Sequence, residues 1–278
     1  MIYLILAFCS SALVSILMRV SEKYVKNNIS MLGMNYVMCI TLAGYYTGYA
    51  KIFTQSAGAG FAWGLGFVNG ILYLLGFVLL QLNVEKNGVV LSATFMKLGV
   101  LVPTLVSVFA FGEMPKTVQI VGFILAVLAI VLINFEKEQT GATFKVGLIL
   151  LLLAGGGGDA MSKVYEELGK ADSEEKFLFC TFLVALILCA LLAGYKKQRL
   201  AKEDVFFGLL IGIPNYYSAR FLLKALKFVP AVVAYPTYSV AGILLVTAAG
   251  ILFFKERISR KQAAAITIIL IALILLNI

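Results

Sequence analysis

The sequence predicts an all-α polytopic membrane protein with ten transmembrane helices, arranged as two inverted five-helix repeats in one transmembrane domain over residues 1–278. Three observations carry that prediction. The 278 residues are 62% hydrophobic and 13% charged, with a mean hydropathy of +0.99, whereas soluble domains are roughly half apolar and about a quarter charged. Apolar runs of about 20 residues, long enough to cross a bilayer at about 1.5 Å per residue, recur along the whole chain. The second half of the sequence also repeats the first.

The runs are 2–18, 31–50, 61–82, 88–111, 117–134, 144–165, 176–195, 205–228, 230–253 and 262–278. Each is apolar on all sides, which excludes the period-two strands of a barrel. The first run lacks a basic leader and a small-residue cleavage site, so it reads as a retained helix and not a removed signal. Short polar strings separate the runs, among them RVSEKYVKNNIS, VEKNG, FGEMPK, GKADSEE and YKKQRLAKED. None is long enough to fold alone, so function resides in the embedded bundle.

Charge is confined in the same way. The formal net charge is +9, but Lys and Arg sit mostly in the connectors, as in membrane proteins. Nucleic acid is therefore not an expected partner. Odd-numbered connectors hold roughly twice the basic charge of even ones, which places both termini outside. There is no histidine, which removes imidazole catalysis and His-based zinc sites. Cys9, Cys39, Cys180 and Cys189 stand singly within apolar runs and read as buried thiols. No catalytic residue, metal or cofactor is expected.

The repeat is carried by polar identities. Displacing 88–134 by 143 positions lays it, without a gap, on 231–277. Thr94 then meets Thr237, Gly99 meets Gly242, Thr104 meets Thr247, Glu113 meets Glu256, Gln119 meets Gln262 and Asn134 meets Asn277. With a shift of 144, Arg19 meets Lys163, Glu22 meets Glu166, Tyr73 meets Tyr217 and Phe77 meets Phe221. The copies are residues 1–135 and 144–278. Five helices per copy is odd, so the second enters the membrane inverted, an architecture of secondary transporters.

On these residues the chain resembles the EamA-type branch of the drug/metabolite transporter superfamily. The resemblance spans the chain and is sharpest in two Glu-containing hairpins, FGEMPKTVQIVGFILAVLAIVLIN and FKERISRKQAAAITIILIALILLN. Gly precedes Glu113, as the family pattern has it, whereas Lys255 precedes Glu256. The resemblance implies cytoplasmic termini, opposite to the charge count.

Ionised groups at membrane depth normally face a cavity or a partner. Lys97 lies near the middle of its run, on one helical stripe with Thr94, Leu101 and Thr104. It reads either as a cationic contact for a substrate carboxylate or phosphate, or as half of an internal ion pair with Asp159. Asp159 follows Gly155–Gly158, which either lets a neighbouring helix pack closely or opens the backbone near a site. Asp159 is the candidate for proton coupling, the alternative being a structural partner for Lys97 or Lys163. In IGIPNYYSARFLLKALK, Tyr216, Arg220 and Lys224 share a face beside Asn215 and Tyr217. Arg220 faces either the centre or the headgroups, and Lys224 snorkels. Pro214 and Pro236 should bend their helices. Asn69, Tyr73, Tyr235 and Tyr238 complete the candidate substrate lining, whereas Tyr45, Tyr46 and Tyr49 fit an interfacial belt. Glu113 and Glu256 read as helix caps with local partners. Gly44/Gly48, Gly66/Gly70 and Ser11/Ser15 read as packing pairs.

The expected function is secondary transport of a small polar solute, such as an amino acid, across the cell membrane by alternating access. The proton is the candidate coupling ion, the lipid bilayer is the surroundings, and the assembly is a monomer or homodimer. The alternatives are a carrier of phosphorylated or lipid-linked anionic metabolites, and a non-transporting scaffold.

Overall fold

The computed structural model describes residues 1–54, 58–134, 144–254 and 260–278. Among them every regular element is helical. In order these are α1 (Ile2–Ser21), α2 (Asn28–Thr47), α3 (Tyr49–Ile52), α4 (Ala59–Asn87), α5 (Val89–Leu98), α6 (Leu101–Phe111) and α7 (Thr117–Asn134). Then follow α8 (Lys145–Leu168), α9 (Glu174–Tyr195), α10 (Lys202–Leu226), α11 (Ala231–Phe254) and α12 (Arg260–Leu276). Among the described residues six stretches are long and apolar enough to cross a membrane: Ile2–Ser21, Ala59–Asn87, Leu91–Phe111, Lys145–Leu168, Ala171–Tyr195 and Ala231–Phe253. Thr117–Leu132 and Gln262–Leu276 are shorter apolar helices. The chain is a multi-pass membrane protein. Glu256 lies outside the described residues, as does most of the connector FEKEQTGATFK.

Two compact units divide the chain. The first comprises Met1, Leu75–Lys163 and Leu226–Ile278; the second comprises Ile2–Leu74 and Val164–Ala225. Each contains chain from both halves of the sequence.

In the first unit α7 packs on α12, where a Cβ at Gly122 would stand 3.0 Å from the Leu276 nitrogen. Asn83 and Asn87 tie the end of α4 to the start of α8. The Asn83 amide donates to the Gly147 carbonyl (2.9 Å), and the Asn87 amide oxygen accepts from the Phe144 N–H (2.9 Å). The run 88–111, expected as one helix, is broken between α5 and α6. Pro103 has no N–H to offer the Gly99 carbonyl four residues earlier, which accepts from Val102 instead at 2.9 Å. The N–H groups of Gly99 and Val100 reach back only three residues, to Met96 and Lys97. Gly155–Gly158, by contrast, remain inside an unbroken α8. A Cβ at Gly99 would stand 2.9 Å from the Gly156 nitrogen. Close backbone packing therefore explains these glycines, of the two readings open in the sequence.

In the second unit glycines again set the helix spacing. A Cβ at Gly66 would meet the Phe177 carbonyl at 2.8 Å, and one at Gly70 the Thr181 carbonyl at 2.6 Å, so α4 lies tight on α9. Gly212 approaches Asn35 and Met38 in the same way, joining α10 to α2. Gly44 and Gly48 do not form a packing pair. Gly44 faces the Tyr49 ring, and Gly48 ends α2 with φ of +75°, a conformation that only glycine adopts without strain. Ser15 bonds back to the Ser11 carbonyl within α1. Three thiols are buried and donate to backbone carbonyls: Cys39 to Gly212 (3.4 Å), Cys180 to Trp63 (3.2 Å) and Cys189 to Ile29 (3.2 Å). Cys9 is exposed.

Candidate functional site

The first unit brings together Thr94, Lys97, Asp159, Tyr235 and Tyr238. Lys97 lies in the last turn of α5, beside the Gly99–Val100 interruption of the helical hydrogen bonds. Asp159 lies on α8, which the break packs against. Lys97 and Asp159 are the charges that act on each other. Among the described residues neither side chain has a hydrogen bond or an ion pair, so the two do not close on each other.

The Lys97 side chain is exposed and that of Asp159 half-buried, so neither charge is sealed in a core. Thr94 is buried one turn earlier on α5. Tyr235 is also buried, and its hydroxyl donates to the Asp159 backbone carbonyl at 2.6 Å. That bond fixes α8 to α11 at the level of the acid and leaves the carboxylate unoccupied. Tyr238 lies one turn on, half-buried, and α11 continues through Pro236.

Lys163, one turn beyond Asp159 on α8, turns elsewhere. Its ammonium, 1% exposed, meets the Glu113 carboxylate at 2.6 Å. Glu113 was expected to cap the helix that follows it; instead it reaches the start of α11. One of its oxygens accepts from the Ala231 N–H (2.7 Å), the Val232 N–H (3.4 Å) and the Ser107 hydroxyl. Those N–H groups are the donors a helix N-terminus leaves unsatisfied. Gly112 makes this possible. Its φ of +69° closes α6, returning the Gly112 and Glu113 N–H groups to the Val108 and Ser107 carbonyls. Burial alone pushes the Glu113 carboxyl up, but the bonds from Lys163 and Ser107, the Lys163 charge and the Ala231 N–H outweigh it. The acid is held below the usual carboxylate range.

The second unit brings together Asn69, Tyr73, Asn215, Tyr216 and Arg220. Asn69 is buried; its amide donates to the Thr181 hydroxyl at 3.3 Å, and its oxygen has no hydrogen-bond partner. Tyr73 stands edge-on to Phe182, with ring centroids 5.9 Å apart. Asn215 donates to Asn35 at 3.1 Å, holding α10 on α2.

Arg220 does not stand as an unpaired charge. Its Nε donates to Glu175 Oε1 at 2.6 Å, and the Tyr216 hydroxyl donates to Oε2, also at 2.6 Å. The guanidinium lies 3.5 Å from the centroid of the Tyr46 ring. Sequence reasoning missed Glu175 because it falls in the polar string GKADSEE, and it missed this role of Tyr46. The only signal was Tyr46 near the end of one apolar run and Glu175 beside the start of another.

Residues 145–278 match the EamA-like transporter family. The matched range is just under half of the chain, and over it the chain is similar to that family of membrane transporters. An uncharacterized protein of Haemophilus influenzae (strain Rd) is 27% identical over 275 residues, covering 92% of this chain and 91% of its own. A solved crystal structure aligns with a TM-score of 0.73 at 13% identity, covering 99% of this chain and 98% of that one. It supports the fold alone.

Proposed function

We propose that this protein is a secondary transporter of the EamA/drug/metabolite transporter superfamily that moves a small zwitterionic or anionic solute, such as an amino acid, by alternating access. The observation that carries this reading is the Lys97–Asp159 arrangement. Two opposite charges act on each other across a helix break, and each is accessible and without a bonded partner. Leaving both unpaired at depth is costly. A solute carrying an ammonium and a carboxylate satisfies both at once, the carboxylate on Lys97 and the ammonium on Asp159. Tyr235 bonds to the Asp159 backbone, and Thr94 and Tyr238, one helical turn from Lys97 and Tyr235, are proposed as further lining.

Asn215 and Tyr216 serve by fixing α10 to α2 and α9, since their polar groups are engaged there. Ten helices in two inverted copies supply the pair of states for alternating access, a reading that rests on the coincident Glu, Gln, Asn and Thr positions. A proton taken up by Asp159 when the solute leaves would couple transport to a proton gradient. A phosphorylated solute fits less well, because Asp159 would face it.

A thermal-shift screen of amino acids and related metabolites on the purified protein identifies the solute, and uptake into proteoliposomes then measures transport. Lys97→Ala is expected to abolish uptake of the stabilising solute with the fold intact. Unchanged uptake of every zwitterionic and anionic solute by that variant would refute the reading.

A further inference from the structure

The second unit holds charge chemistry that solute transport at Lys97 does not use. Glu175 accepts from Arg220 Nε with one oxygen and from Tyr216 with the other. The carboxylate is thereby engaged on both oxygens, while the terminal nitrogens of Arg220, which carry four of the guanidinium's five N–H groups, meet no acceptor among the described residues. The guanidinium plane is pinned over Tyr46, so the outer fork is held in place.

One turn further along α10, Lys224 lies with its ammonium 5.8 Å from the centroid of the Tyr3 ring. No carboxylate approaches Lys224 within 4.0 Å among the described residues. Arg220 and Lys224 therefore share a helix face, each laid over a tyrosine, and only Arg220 has a carboxylate against it.

The level is set by the helices that contribute. Tyr46 is the penultimate residue of α2 and Glu175 is the second residue of α9. Tyr45, Tyr46 and Tyr49, at the same end of α2, are all exposed, as tyrosines at a membrane–water boundary are. We propose that Arg220 and Lys224 form a binding site for an oxyanion at that boundary, with Glu175 as the positioning residue that fixes the guanidinium. The chemistry is that of a phosphate or carboxylate group. It is supplied either by an anionic phospholipid headgroup, which the depth favours, or by a soluble anion.

The test is thermal unfolding of the purified full-length protein in detergent at low salt, titrated with dioleoylphosphatidylglycerol, dioleoylphosphatidylcholine or inorganic phosphate. Phosphatidylglycerol is expected to stabilise saturably and phosphatidylcholine not. Lys224→Gln, which leaves the Arg220–Glu175 pair intact, is expected to weaken the effect about fivefold, and Arg220→Gln by at least as much. If inorganic phosphate at equal concentration stabilises as well as phosphatidylglycerol, the site stands and its anion is soluble. If neither anion stabilises more than phosphatidylcholine, or if a folded Lys224→Gln protein responds as wild type does, the proposal is overturned. Lys97→Ala should leave the lipid response unchanged, so failure here and failure of the transport reading are distinguishable.

Discussion

The Glu113 carboxylate meets Lys163, Ser107, Ala231 and Val232 at once, and its removal should be felt in two ways. Glu113→Gln leaves the Lys163 ammonium, 1% exposed, without its counter-charge. Loss of one partner of a buried pair typically costs about 3 kcal/mol or more, so a marked drop in unfolding temperature is expected in detergent. The same residue predicts a pH dependence. Because the native carboxyl is held below its ordinary value, its contribution is complete above the unfolded value of about 4.3 and is lost as the pH falls through the native one. Wild type should therefore destabilise on acidification below about pH 4.5 more steeply than Glu113→Gln, as read from melting curves between neutral and acid pH. That Glu113 is a structural acid was legible from its hairpin position. Its partner was not, because Ala231 lies more than a hundred residues away and sequence spacing carries no such information. Glu175 was hidden similarly: it looks like one more acid in a polar connector until α9 brings it under Arg220.

Helix by helix, apolar length revealed where the elements lie, since about 20 apolar residues can hardly do anything else in lipid. It did not reveal where they break. Pro103 sits inside an apolar run that satisfies every length criterion, and only its missing N–H opposite the Gly99 carbonyl divides α5 from α6. Restoring that donor with Pro103→Ala should extend the helix through Gly99 and move Lys97. The expected result is unchanged or raised thermal stability with solute binding weakened at least tenfold, which calorimetric titration with the screened solute would check. The glycines give a sharper contrast. Gly156→Ala would force a Cβ into Gly99 and Val102, largely rigid backbone and Cβ atoms, whereas a Cβ at Gly242 meets nothing within 4 Å. Gly156→Ala should cost about 1–3 kcal/mol, while Gly242→Ala should be neutral or mildly stabilising. Paired thermal melts of the two variants decide the matter.

For the whole molecule, composition and apolar runs disclosed membrane embedding and an all-helical fold, and the residues of the C-terminal half a likeness to a transporter family. Which chemistry-bearing residues meet depended on tertiary packing: Lys163 with Glu113, and Arg220 with Glu175. The charge inventory changes accordingly, because Arg220 and Lys163 are matched by carboxylates and the accessible pair deep in the helices is Lys97 and Asp159. If Asp159 carries the proton, Asp159→Asn should abolish uptake driven by a pH gradient while retaining solute exchange at zero gradient, measured on the same proteoliposome preparation. The sulfur atoms offer a practical dividend for such work. Three of the four thiols are spent on carbonyls inside the packing, and Cys9 is exposed within the apolar α1, so a brief treatment of detergent-purified protein with a membrane-permeant maleimide should attach one fluorophore, at Cys9. Intact-mass measurement would show a single adduct, giving the native chain a spectroscopic reporter on α1 without mutagenesis.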